Sequence, residues 1–477
     1  MKNAESGMRK LTKHIIAVAG RILFMGFTVQ IIFGIVWMAV NFAHCQQFEE
    51  ADSLLYPAVL MIAKGMGRIF PVPYYCFVYI FQAGLCLYSV YFFEGVILAV
   101  FFSDGTGATW NAGRRAAHSR LFRLWSAMAV ATAVPVMQCV MALLPYSLTG
   151  SLLLTELGIV IKTIFVKKRL SVQDIVKLLI LWALSALLLH EYLLFGALPT
   201  VIATAAQFFR AAAGPSSKER ITGLKRAAYK AAAAAVVLGM LSAVYGVCES
   251  RGIYEEKNPN LIKGLFSRTC LTTVLWDWDT WTDELVDGLA WEVRYSAAYY
   301  ADNITLEVEP YIDERYGGSA NEFYLSTIST AWQSYRTDII HETLWDIAGY
   351  AISPVIIRRQ LSGLGYMSLT ARNYDMMKRT APRLTKYYVN FFLDWFIAAL
   401  VIAAVCAVFA AADKMIRKHA AVAAALSVAP ACMCVRYALM GAGIMDYKRT
   451  LIITALWIIF IQFPIFGQAY RGEADFE

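Results

Sequence analysis

Apolar positions along this chain fall into long runs parted by short polar segments, and the runs have the length of membrane-crossing helices. Taking roughly 20 apolar residues per crossing, the pattern predicts about ten spans. These are Ile22–Ala43, Tyr75–Phe102, Leu124–Tyr146, Ser151–Val166, Ile175–Phe195, Ala197–Phe209, Ala231–Val247, Val389–Ala412, Ala420–Met440 and Leu451–Ala469. One segment, Glu249–Tyr387, breaks the pattern. Its first part, Arg251–Asp346, holds seventeen Asp and Glu against seven Lys and Arg, and the remainder turns basic. Trp276, Trp278, Trp281, Trp291, Trp332 and Trp345 supply the segment with apolar surface for a small core, and Asp279–Leu285 reads as a helix start.

The expected fold is therefore an all-α polytopic membrane protein with one mainly helical domain outside the membrane, inserted before the last three spans. Residues 1–248 form an N-terminal membrane domain of about seven helices with a first outer loop at 44–73, by the same count of roughly 20 residues per span. Residues 249–387 form the outer domain, and 388–477 the C-terminal membrane part.

Composition agrees with a membrane location: 59% of residues are hydrophobic and 16% charged, and mean hydropathy is +0.52. The net charge of +8 matters through its distribution. Arg9, Lys10 and Lys13, then Arg114, Arg115, Arg120 and Arg123, then Lys167, Lys168 and Arg169 occupy alternate connections. So do Lys218, Arg220, Lys225, Arg226 and Lys230, and later Lys414, Arg417 and Lys418. Positive connections face the cytoplasm, so both termini are expected there, in the cell membrane, with the 249–387 domain outside. The N-terminal apolar run lacks a small-residue cleavage site and reads as a retained span. Of nine cysteines, those inside spans read as free thiols, and a Cys248–Cys270 bridge stays open.

Ionisable residues inside a bilayer need a partner or a function. The expectation is that they gather near the outer face: Glu156 and Asp394 near the outer ends of their spans, His190 and Glu191 closing the fifth, Arg436 in the ninth, Lys448 and Arg449 in the last outer loop. Glu49, Glu50 and Asp52 follow the first span on the same side. Glu94 is expected toward the cytoplasm, paired with a base there. Each alone is explained by an ion pair between helices. Together they suggest a polar cavity that opens outward. Such a cavity suits a lipid-linked sugar, whose phosphate is already a good leaving group. The reaction then needs a base for the acceptor hydroxyl and cations for the departing phosphate. The sequence holds no Gly-rich phosphate loop, no paired-aspartate metal motif and no zinc or haem spacing.

An acidic residue just past the first span, then the stretch Ser53–Phe70, and polar residues at the outer ends of later spans resemble the GT-C class of polytopic glycosyltransferases. That resemblance implies Asp52 as the catalytic base, with Glu49 one helical turn earlier as its alternate. It implies substrate binding by His190, Glu191, Arg436, Lys448 and Arg449. The implied partners are a polyprenyl-phosphate-linked sugar, a glycan or glycolipid acceptor and membrane lipids, with no nucleic acid. No cofactor is called for, and nothing in the sequence indicates the divalent metal that some such reactions use. The outer domain departs from the class pattern by preceding the last three spans. Two other classes compete: a transporter or flippase, against which the absence of internal repeats and of broken spans counts, and a non-catalytic sensor or scaffold.

Overall fold

The computed structural model describes residues 2–42, 53–102, 112–141, 143, 145–167, 170–190, 192–213, 217–252, 262, 265, 320–351, 382–411, 454–459, 461 and 462. Every regular element among them is helical. Six stretches are long and apolar enough to cross a membrane: Ala17–Asn41, Tyr74–Ile97, Tyr146–Phe165, Tyr192–Ala212, Arg220–Ser250 and Arg383–Cys406. This is what an all-α, multi-pass membrane protein requires. The ninth predicted span, most of the tenth and most of the 249–387 segment lie outside the described residues.

The described helices divide into two units. The first contains α1 (Lys2–Asn41), α2 (Tyr56–Ile69), α3 (Tyr74–Phe102), α4 (Ala112–Ala131), α5 (Val134–Val140) and α6 (Tyr146–Ile161), which a π turn, Lys162–Lys167, continues. It goes on through α7 (Val172–Leu188), α8 (Tyr192–Phe195), α9 (Ala197–Ala212) and α10 (Ser217–Ser250). The second unit is described through α11 (Ala320–Ala351), which kinks at Tyr335 and buries Tyr324, Ala331 and Ile339. The chain then returns to the first unit with α12 (Pro382–Ala411) and helical residues 454–459.

Pairwise contacts set the direction of each helix in the first unit. Cys86 faces Ser151, and the rings of Phe92 and Phe93 face Gly158, so α3 and α6 run parallel. Ile159 and Val160 share a cluster with Leu178 and Ile175, so α6 and α7 run antiparallel. Leu241 packs with Trp182, and Tyr245 bonds Ala186, making α7 and α10 parallel. Phe33 meets Phe391 while Trp37 meets Tyr388 and Thr385, so α12 runs against α1. α7 and α10, which both leave a basic connection, thus share one direction, as basic connections on alternate loops require.

α6 is the enclosed helix of this unit. Every residue from Ser147 to Ile161 is buried, with α3, α5, α7 and α9 around it. Three of its polar side chains are satisfied locally: Thr149 donates to Pro145 O (2.9 Å), Ser151 to Ser147 O (2.7 Å) and Thr155 to Ser151 O (2.9 Å). Such back-bonding lets a Ser- and Thr-bearing helix sit inside a bundle.

Two expectations are corrected. The span at Leu124–Tyr146 is broken: α4 ends at Ala131, and Ala133 is extended (φ −66°, ψ 136°). α5 then restarts with Pro135 in its first turn, where a missing N–H costs nothing. Glu156 lies near the middle of Tyr146–Phe165, because that helix begins five residues before the predicted span. Asp394 lies in the first half of α12, which starts at Pro382. Cys248 carries a free thiol, and Cys270 lies outside the described residues.

Candidate functional site

A helix end leaves its last four carbonyls without helical partners. At the end of α7 two of these oxygens are taken up by two other parts of the chain. Ser185 O accepts from Leu189 N–H (3.0 Å) and Ala186 O from the Tyr245 hydroxyl of α10 (2.5 Å). Leu187 O receives Leu54 N–H (3.1 Å), Leu55 N–H (3.0 Å) and the Ser53 hydroxyl (3.3 Å). Ser53 Oγ in turn accepts from Tyr56 N–H (2.9 Å) and starts α2. Residues Ser53–Leu55 are therefore the C-terminal cap of α7.

The cap fixes what lies on either side of it. Three residues past Leu187, the half-buried His190 ring lies 4.4 Å from the Tyr245 ring, centroid to centroid. Leu193 N–H donates to His190 O (2.8 Å), and Trp182 Nε1–H donates to Leu193 O (3.0 Å). Gly196 allows the return into α9, since a Cβ there would fall 2.5 Å from Trp182 Cδ1. On the other side, Tyr56 is buried and its hydroxyl accepts from Gln82 Nε2 (3.3 Å). Burial, with Tyr79 beside it, raises the Tyr56 phenol above its ordinary pKa, so it stays protonated at neutral pH.

The described residues on either side of 43–52 are both packed here. Phe42 ends α1 against the Tyr79 ring (6.5 Å) and accepts from Cys76 Sγ (3.4 Å), while Ser53 rests on α7. Glu49, Asp52, Glu191, Arg436, Lys448 and Arg449 all lie outside the described residues, and of the predicted site residues His190 alone is placed. No family model, curated protein or solved structure matches this chain.

A second polar centre joins α3, α4 and the C-terminal helical stretch. The Ser126 hydroxyl contacts both the buried Glu94 carboxyl and the buried Gln462 amide. Arg123, from the basic connection, is the charged group acting on Glu94. Its guanidinium lies 3.8 Å from the Tyr91 ring centroid and donates from Nη2 to Tyr91 O (2.7 Å). A Cβ at Gly95 would fall 2.3 Å from that nitrogen, so a larger residue there would make the guanidinium shift. The base expected near Glu94 is thus Arg123, although the direct contact is Ser126.

Sequence reasoning missed Tyr56, Gln82, Ser126 and Tyr245. Pro57 beside Tyr56 signalled a helix start. Tyr245 stands in an Ala- and Val-rich helix that carries no mark of what its hydroxyl reaches.

Proposed function

We propose that this chain is an integral membrane glycosyltransferase that moves a sugar from a lipid-phosphate donor to an acceptor at the outer face of the cell membrane. The setting is assembly of an envelope polysaccharide or glycolipid. In this reading the chain has ten spans, cytoplasmic termini and the 249–387 domain outside. The observation that carries it is the capping of α7 by the first outer loop. It joins the segment bearing the acidic cluster to the corner bearing His190.

The peptide bond keeps the Cα of Asp52 about 3.8 Å from that of Ser53, and Ser53 is bonded to Leu187, three residues before His190. The Asp52 carboxylate takes the proton of the acceptor hydroxyl as its oxygen attacks the anomeric carbon. The bond from that carbon to the phosphate oxygen breaks, and lipid phosphate leaves with the electron pair. Glu49 is the alternate base. His190 and Glu191 bind the sugar hydroxyls, and Arg436, Lys448 and Arg449 offset the phosphate charge.

The test is purified protein supplied with a synthetic polyprenyl-phosphate sugar. Asp52→Asn should lower transfer by about 10²–10⁴-fold, the usual worth of a general base, while membrane insertion is retained. Undiminished transfer would remove Asp52 from the mechanism. A second reading, a transporter or flippase, is favoured by the break at Thr132–Ala133 and the mid-span Glu156. Movement of a lipid-linked sugar across proteoliposomes with no transfer would decide for it.

A further inference from the structure

Glu156 occupies the centre of the most enclosed helix, and it is 0% exposed. Neither of its carboxyl oxygens has a hydrogen-bond partner among the described residues. Ser185 of α7 is the polar group that acts on Glu156, and its buried hydroxyl makes no bond of ordinary geometry among the described residues. Thr200 of α9, 1% exposed, has a third buried hydroxyl in the same condition. Ala203 shares a cluster with Ile159 and Val160 and Arg210 donates to Ile164 O, so α9 runs parallel to α6, and Thr200, one turn before Ala203, stands near the height of Glu156.

Folded proteins leave very few buried polar groups without partners, so three at one height call for an occupant. Among the described residues no charged group acts on Glu156, in contrast to Glu94. From α3 the group facing α6 is the Cys86 thiol, opposite Ser151. Lys162, six residues further along the same helical run, lies over the Phe92 ring (6.0 Å). One carboxylate and two hydroxyls, without thiol or imidazole, form the donor set of a hard cation and not of a transition metal.

We propose that Glu156, Ser185 and Thr200 form a buried site for a single positive charge, a proton or Na⁺, that neutralises the carboxylate between α6, α7 and α9. The site is independent of the transfer reaction. It makes folding of the membrane domain sensitive to the ion that fills it.

Thermal melting of the full-length protein in nanodiscs tests this in two arms. At fixed alkaline pH, with choline replacing Na⁺, each tenfold rise in NaCl above half-saturation should raise the Tm by about 1–2 °C. Without Na⁺, stability should fall as pH rises, because the folded chain holds a proton that the unfolded chain releases. A protonated-carboxyl infrared band should accompany that second result. Glu156→Gln, neutral without an occupant, should abolish whichever response the native chain shows. Ser185→Ala should weaken it, and this variant serves where Glu156→Gln does not fold. A response removed by Glu156→Gln or weakened by Ser185→Ala establishes the site and its ion. Equal responses in native and variant proteins, or none in the native protein, overturn it.

Discussion

Ser126 has one hydroxyl proton and two buried partners, Glu94 and Gln462. It can donate to one of them and must accept from the other. The Gln462 amide nitrogen has no other partner among the described residues, so turning the amide lets it donate to Ser126 while Ser126 donates to Glu94. Ser126→Ala should then cost about 1–3 kcal/mol, the penalty of leaving buried polar groups unpaired, read as a lowered melting temperature. Tyr245 separates two roles in the same way. Tyr245→Phe loses the bond to Ala186 O but keeps the ring beside His190. Its expected cost is about 0.5–1.5 kcal/mol, with sugar transfer reduced less than in Tyr245→Ala. Equal transfer by the two variants would show that the ring does not position His190. None of these roles was legible in the sequence. Serine and tyrosine occur throughout the spans, and what distinguishes these two is a partner dozens or hundreds of residues away.

At the level of elements, close packing and capping do the holding. α1 and α12 meet at Gly26, where a Cβ would lie 2.0 Å from the Trp395 indole, and at the rings of Phe33 and Phe391, 5.3 Å apart. Gly26→Val should destabilise this pair by about 1–3 kcal/mol through overpacking, measurable as reduced stability in detergent. α7 begins with a capping box in which Ser171 Oγ accepts from Asp174 N–H (3.1 Å) and Asp174 accepts from Ser171 N–H (3.2 Å). Ser171→Ala should cost about 1 kcal/mol by the same assay. The capping box is readable as Ser-x-x-Asp before an apolar run. The gap needed at Gly26 is not, because glycine in a span has many uses and only the facing indole selects one.

For the whole first unit, the directions of α1, α3, α6, α7, α10 and α12 agree with the alternation of basic connections. On the proposed orientation, an impermeant maleimide added to intact cells should label Ser250→Cys, in a background lacking Cys248. It should reach Gln173→Cys only after permeabilisation. The reverse pattern would invert the topology and move the α7 corner to the cytoplasm. The same alternation ends several chain segments at one side of the unit, among them the start of α2, the end of α7 and the end of α10. That is where the proposed transfer site and its lipid donor would meet.

Hydrophobic run length and the placement of Lys and Arg determined by themselves that this is a helical membrane protein, and they located most of the described helices. Both signals are local: apolar length follows from bilayer thickness, and positive charge is retained on one side. Depth and partnership needed the tertiary structure. Glu156, assigned to an outer rim, lies near the middle of Tyr146–Phe165, because its helix starts earlier than hydropathy alone indicates. The cap on α7 by Ser53, Leu54 and Leu55 was invisible in the sequence, since a carbonyl acquires its meaning only when packing brings it a donor.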